Sequence, residues 1–131
     1  MRRRGTLCAV GPPNVSNTAA CARKIANWPT IVEHIVAKQH GGSDHPNNLA
    51  LACHRCNLHK GPNLTGIDSH TGQVAPLLHP RNNRWSEHFV FTGPRVEGTS
   101  VAGLATVRVL AMNDSRRVEV RREILKYGDL A

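Results

Sequence analysis

Acidic residues are scarce in this 131-residue chain: 9 Asp and Glu stand against 17 Lys and Arg, and residues 1–29 contain none. The surplus, +8 with an isoelectric point near 10.2, favours a polyanionic partner such as nucleic acid over acidic small molecules, with solubility alone as the competing account. Long apolar runs are missing as well. No stretch approaches the roughly eighteen residues that a membrane span requires, and Arg2-Arg3-Arg4 is not followed by the continuous apolar segment of a secretory signal. The expectation is a cytoplasmic protein with no membrane partner. There is no internal repeat and no low-complexity tract. Cysteine is limited to four residues, of which only Cys53 and Cys56 lie close together. In an intracellular setting such a pair points to metal binding or redox chemistry more than to a structural disulfide. A chain of this length has room for one compact domain, or for one small core with an appended helical segment.

What is present changes character along the chain. Residues 1–29 carry Arg2, Arg3, Arg4, Arg23 and Lys24 around the interrupting Gly11-Pro12-Pro13-Asn14, and are expected to be irregular and basic. The β-branched run Thr30 to Val36 reads as a strand, Gly41-Gly42 with Asp44-His45-Pro46 as a loop, and Asn48 to Ala52 as a second strand. Cys53 to Lys60 reads as a turn running into a short helix that Gly61-Pro62 ends. Beyond it comes a loop-rich stretch, a strand around Phe89 to Phe91, and two helices. Val101, Ala105, Val109 and Met112 mark the first helix and Val120, Ile124 and Tyr127 the second, with Asn113-Asp114-Ser115 between them. The expected class is α+β: a ββα core over 30–62, preceded by the irregular segment and followed by an extension over 63–131 packed as part of the same domain. Trp85 and Phe89, four apart, read as core. The arginine-rich set Arg116, Arg117, Arg121, Arg122 and Lys126 reads as a solvated helix face.

The segment Glu33 to Gly61 contains what phosphodiester hydrolysis needs. Water must be deprotonated by a base in line with phosphorus, and a divalent cation must neutralise the charge that builds on the phosphate. His34 is the natural base because imidazole titrates near neutrality. Asn48 can orient it or hold the hairpin in shape. Glu33 and Asn57 offer hard oxygen ligands, and two such ligands with positions left for water and phosphate suit a single Mg²⁺ or Mn²⁺. Lys60 and Arg81 are weaker candidates for phosphate contacts. Adjacent residues on a regular strand face opposite ways, so for Glu33 and His34 to serve one phosphate the strand must bend or end there.

Taken together, Glu33-His34, Gly41-Gly42, Asn48-Leu49, Cys53-x-x-Cys56-Asn57 and Lys60-Gly61 resemble the HNH endonucleases of the ββα-metal fold. The downstream His79-Pro80-Arg81, Trp85 and His88-Phe89 look like the extension of a bacterial subfamily. The resemblance implies a metal-dependent endonuclease acting on DNA as a monomer or homodimer. It makes Glu33 and Asn57 the metal ligands, His34 the general base and Asn48 the middle residue of the motif. It also implies a structural Zn²⁺ at Cys53 and Cys56, for which relatives supply a second, upstream Cys-x-x-Cys. Here that pair is replaced by Cys8 and Cys21, thirteen positions apart. The alternatives are a non-catalytic, zinc-stabilised nucleic-acid-binding module and, more distantly, a redox protein built on Cys53 and Cys56.

Overall fold

The computed structural model describes residues 30–127. The segment 1–29, with Cys8 and Cys21, lies outside the described residues. Among the described residues the chain is mixed α+β, with three antiparallel two-stranded sheets, three α-helices and three single 3-10 turns.

The β-branched run forms β1 (Thr30–His34), paired with β2 (Leu49–Cys53) so that Glu33 faces Ala50 and His34 faces Leu49. β1 therefore stops two residues earlier than its composition suggests. One further backbone bond, from Ile35 N to Asn48 O at 2.8 Å, extends the pairing. After that the side chain of Asn48 takes over: its Oδ1 accepts from Val36 N at 2.9 Å and its Nδ2 donates to Val36 O at 3.0 Å. A side-chain amide thus stands in for the next peptide of the partner strand, and the backbone groups of Val36 are satisfied without one. The loop that follows closes tightly on the strand end. A Cβ on Gly42 would lie 1.8 Å from Val36 O, so only glycine fits there. Gly41 has φ 84°, in the left-handed region that glycine enters at no steric cost.

Cys53 caps α1 (His54–Lys60), its Sγ accepting from Cys56 N at 3.3 Å. Gly61, at φ 51°, ends the helix as the sequence predicts. On α1 the residues Cys56 and Lys60, one turn apart, are buried.

The extension is richer in strand than its composition implies. Besides β5 (Phe89–Thr92), it contains β3 (Thr65–Ile67) and β4 (Val74–Pro76) as one hairpin, and β6 (Arg95–Gly98) as the partner of β5. Three-residue strands are too short for an alternating pattern to show. Their hairpin depends instead on the turn, where Asp68 accepts from His70 N at 3.0 Å and from Thr71 Oγ1 at 2.9 Å. Two helices follow, α2 (Val101–Val109) and α3 (Ser115–Leu125). Ser100 and Asp114 cap them, accepting from Gly103 N and Arg117 N at 2.9 Å each. Met112, expected in the first of these helices, lies beyond its end.

One apolar cluster spans core and extension: Ala52, Cys53 and Cys56 pack with Leu78, Trp85, Phe89, Val96, Leu110 and Met112. Trp85 lies 5.2 Å from Phe89 and 5.0 Å from Phe91 between ring centroids, so it is core as expected. The arginine-rich set of α3 is a solvated face only in part: Arg116, Arg122 and Lys126 are exposed, but two members turn inward. Arg117 and Arg121 are each 3% exposed, while Tyr127, expected on the packed side, is 90% exposed. The two guanidinium groups meet backbone carbonyls of the α2–α3 connection and of the β5–β6 turn: Arg117 at Leu110 (2.7 Å) and Ala111 (3.3 Å), Arg121 at Met112 and, in the turn, at Pro94 (2.6 Å). Asn113 completes this junction, accepting from Val96 N at 2.8 Å and donating to Val96 O at 2.7 Å.

Replacing Asn113 by Ala leaves both backbone groups of the buried Val96 unpaired. At about 1–3 kcal/mol for each of the two buried polar groups left without a partner, the variant is expected to lose roughly 2–6 kcal/mol, read as a lower midpoint in urea denaturation.

Candidate active site

β1 delivers Glu33 and His34 to the end of the hairpin, and there they part. Glu33 points inward and is 4% exposed. Neither of its carboxylate oxygens has a hydrogen-bond partner among the described residues. Burial pushes its carboxyl up to about 7, against the opposing charge of Lys60. His34 lies on the other side with about a third of its side chain exposed, its Nε2 2.7 Å from Asp44 Oδ1. The strand does end at this pair, but the two side chains keep to opposite faces, as strand geometry requires.

Asn48 braces the strand end just beyond them. Its amide holds Val36 and also donates to Ser43 O at 2.7 Å, which fixes the residue next to Asp44. Asn57 is half-buried on α1, one position past Cys56 and three before Lys60; helical spacing therefore puts it beside the face that Cys56 and Lys60 turn toward β1. Lys60 is turned inward: at 4% exposure its Nζ donates to Ile35 O at 3.1 Å and its charge acts on Glu33. Arg81 is held at the hairpin by a 2.7 Å bond from Nε to Leu49 O. Because Asn48 O points to β1 and successive strand carbonyls alternate, Leu49 O points away from it, so Arg81 lies along the outer edge of β2. The loop carrying Arg81 is closed by His79, whose Nδ1 accepts from the backbone of Arg81 at 3.2 Å and of Asn82 at 3.1 Å.

The order of these groups, acid and histidine at a strand end, asparagine bracing the loop, Cys-x-x-Cys-Asn on the following helix, is that of one family. The family model for HNH endonuclease matches residues 19–63. This segment is an HNH endonuclease domain. Comparison with curated proteins and with solved structures returned no match.

The HNH domain offers one strong indication of a cation. A buried carboxylate with two unsatisfied oxygens is costly unless it is protonated or bound to positive charge, and hard oxygens of this kind suit Mg²⁺ or Mn²⁺. The Glu33 carboxylate is therefore of a kind that fits such an ion. Among the described residues no group of three or more His, Cys, Asp or Glu side chains is arranged to hold a metal.

The Cys53–Cys56 corner fits zinc poorly. Cys53 is disulfide-bonded, and a disulfide sulfur offers a metal no thiolate. A cation is already present: Arg117 Nη2 stands 3.0 Å from Cys56 Sγ and 3.3 Å from Cys53 Sγ. Burial pushes the Cys56 thiol up to about 11 despite the opposing charge of Arg117, with Glu33 adding to the rise.

Two residues of this neighbourhood escape a reading of sequence alone. Asp44 looks like a loop residue, and only its position between Gly41-Gly42 and Asn48, ten residues after His34, hints that it returns to the strand end. Arg117 lies more than sixty residues from the sulfurs it meets, and nothing local marks it.

The state of Glu33 can be read from stability against pH. Without metal, native Glu33 keeps its proton up to about pH 7 while the unfolded chain releases it near the ordinary carboxylate value of 4.5. Between these limits the native state binds more protons, so stability falls as pH rises, by a total of about 3 kcal/mol. Thermal unfolding in EDTA from pH 4.5 to 7.5 should show this fall, and Glu33→Gln should remove it.

Proposed function

We propose that the protein is a metal-dependent endonuclease that hydrolyses phosphodiester bonds in DNA. The observation that carries this reading is the buried, unsatisfied carboxylate of Glu33, followed at the end of β1 by His34 with about a third of its side chain exposed, inside a segment that matches the HNH family. His34 takes a proton from water as the water oxygen attacks phosphorus; the P–O bond to the leaving oxygen breaks, and that oxygen is protonated from solvent. Glu33 and Asn57 would hold a single divalent ion, which supplies charge neutralisation at the phosphate and leaving oxygen. Asn48 braces the loop and strand end that carry these groups.

Charge supports the choice of substrate. The excess of +8 gives salt-sensitive, largely sequence-independent attraction to a polyanion. Arg81, with Nε committed to Leu49 O and no other partner among the described residues, presents its terminal nitrogens for a phosphate. Lys60 serves as the counter-charge of Glu33. No helix among the described residues is long and apolar enough to cross a membrane.

Nicking of supercoiled plasmid tests the proposal. The protein should nick in Mg²⁺ or Mn²⁺ and not in EDTA. His34→Ala should lower the rate by about 10²- to 10⁴-fold, the usual contribution of a positioned general base. Equal rates for the two proteins would remove the catalytic assignment.

A further inference from the structure

The general base has a companion that the motif does not name. His34 Nε2 is 2.7 Å from Asp44 Oδ1, while the second carboxylate oxygen, Oδ2, lies 3.1 Å from Lys38 Nζ. No partner for His34 Nδ1 is found among the described residues. A carboxylate only accepts, so the imidazole nitrogen facing it must carry the hydrogen, and the other nitrogen of the neutral ring is then the one with a lone pair. We propose that Asp44 is a positioning residue which holds His34 as its Nε2–H tautomer and thereby makes Nδ1 the atom that accepts the proton of the attacking water. The inference rests on the nuclease reading of His34 and deepens it.

The loop is built to keep Asp44 in place. On one side Ser43 O receives Asn48 Nδ2 at 2.7 Å and Gly42 is pressed against Val36 O. On the other His45 Nδ1 accepts from Asn47 N at 3.1 Å, and His45 N donates to Ser43 Oγ at 3.3 Å. The residues before and after Asp44 are thus tied either to the strand end or to the turn that leads into β2. Asp44 itself is exposed, with 69% of its side chain accessible, so it contributes little as an isolated surface pair. Its significance lies in the orientation it imposes on the ring. This also extends the part played by Asn48. Asn48 makes no bond to His34 in this structure, but it anchors the segment that carries the group His34 does touch.

Once the proton is transferred, both ring nitrogens of His34 carry hydrogen, and the Asp44 carboxylate faces the resulting positive charge. The base is therefore oriented before the step and stabilised after it. Removing a group that orients another through a hydrogen bond typically costs about 10- to 100-fold.

The test uses the full chain and two independent measurements. Long-range ¹H–¹⁵N spectra of the histidine rings should show wild-type His34 in the Nε2–H form and Asp44→Ala with a mixture of tautomers. In plasmid nicking with Mg²⁺, Asp44→Ala should lower kcat about 10- to 100-fold with KM little changed, and Asp44→Glu should recover part of the loss. An Nδ1–H signal in the wild type, or an unchanged kcat in Asp44→Ala, would overturn the proposal. Absence of metal-dependent nicking by the wild type would instead remove the nuclease reading, and the tautomer spectra would still judge what Asp44 does to His34.

Discussion

The amide of Asn48 is the constraint on which the site depends. Three hydrogen bonds leave it, two to Val36 and one to Ser43. Together they end the β1–β2 ladder just past His34, satisfy the first backbone groups beyond it, and fold the loop back over the strand end. An amide suits this because it both donates and accepts; a carboxylate in its place could meet only Val36 N and would repel the two carbonyls. The termination of β1 and the return of Asp44 to His34 are therefore two results of one side chain.

The same device recurs in the extension. Asn113 pairs with both backbone groups of Val96 as Asn48 does with those of Val36. Around it two buried arginines are spent on carbonyl oxygens and sulfurs, where each bond involves a charged donor and is correspondingly strong. Such burial is tolerable only because nearly every donor finds an acceptor. Arg117 also joins three places far apart in sequence: the end of α2, the start of α3 through Asp114, and the corner between β2 and α1. Asp114 reinforces this link with its contact to Arg55 at 3.3 Å.

The α+β class, the hairpin, the short helix and its glycine end, and the break between the last two helices were legible in the sequence, because each has a local cause: β-branched residues, a Gly-Pro stop, an Asp-Ser helix start. The residues Glu33, His34, Asn48 and Asn57 can be singled out in the sequence because few residue types supply a base or a hard oxygen, and the roles given to them are those proposed above. What was not legible depends on distance. The β3–β4 and β5–β6 pairings draw on strands too short for periodicity. The inward turn of Arg117 and Arg121 follows from carbonyls that only the fold brings near. Lys60 reads as a phosphate contact until the structure shows it facing Glu33. Asp44 is invisible as a partner of His34 until the loop is closed.

The shared apolar cluster also bears on how this domain can be recombined. Ala52, Cys53 and Cys56, at the junction of β2 and α1, find their neighbours in Leu78, Trp85, Phe89, Leu110 and Met112 of the extension. The motif-bearing segment is consequently no portable cassette. A cut after Pro62 would keep every motif residue and yet leave the floor beneath them open to water. The boundary that a motif draws along the chain and the boundary across which the protein folds are, in this molecule, two different lines.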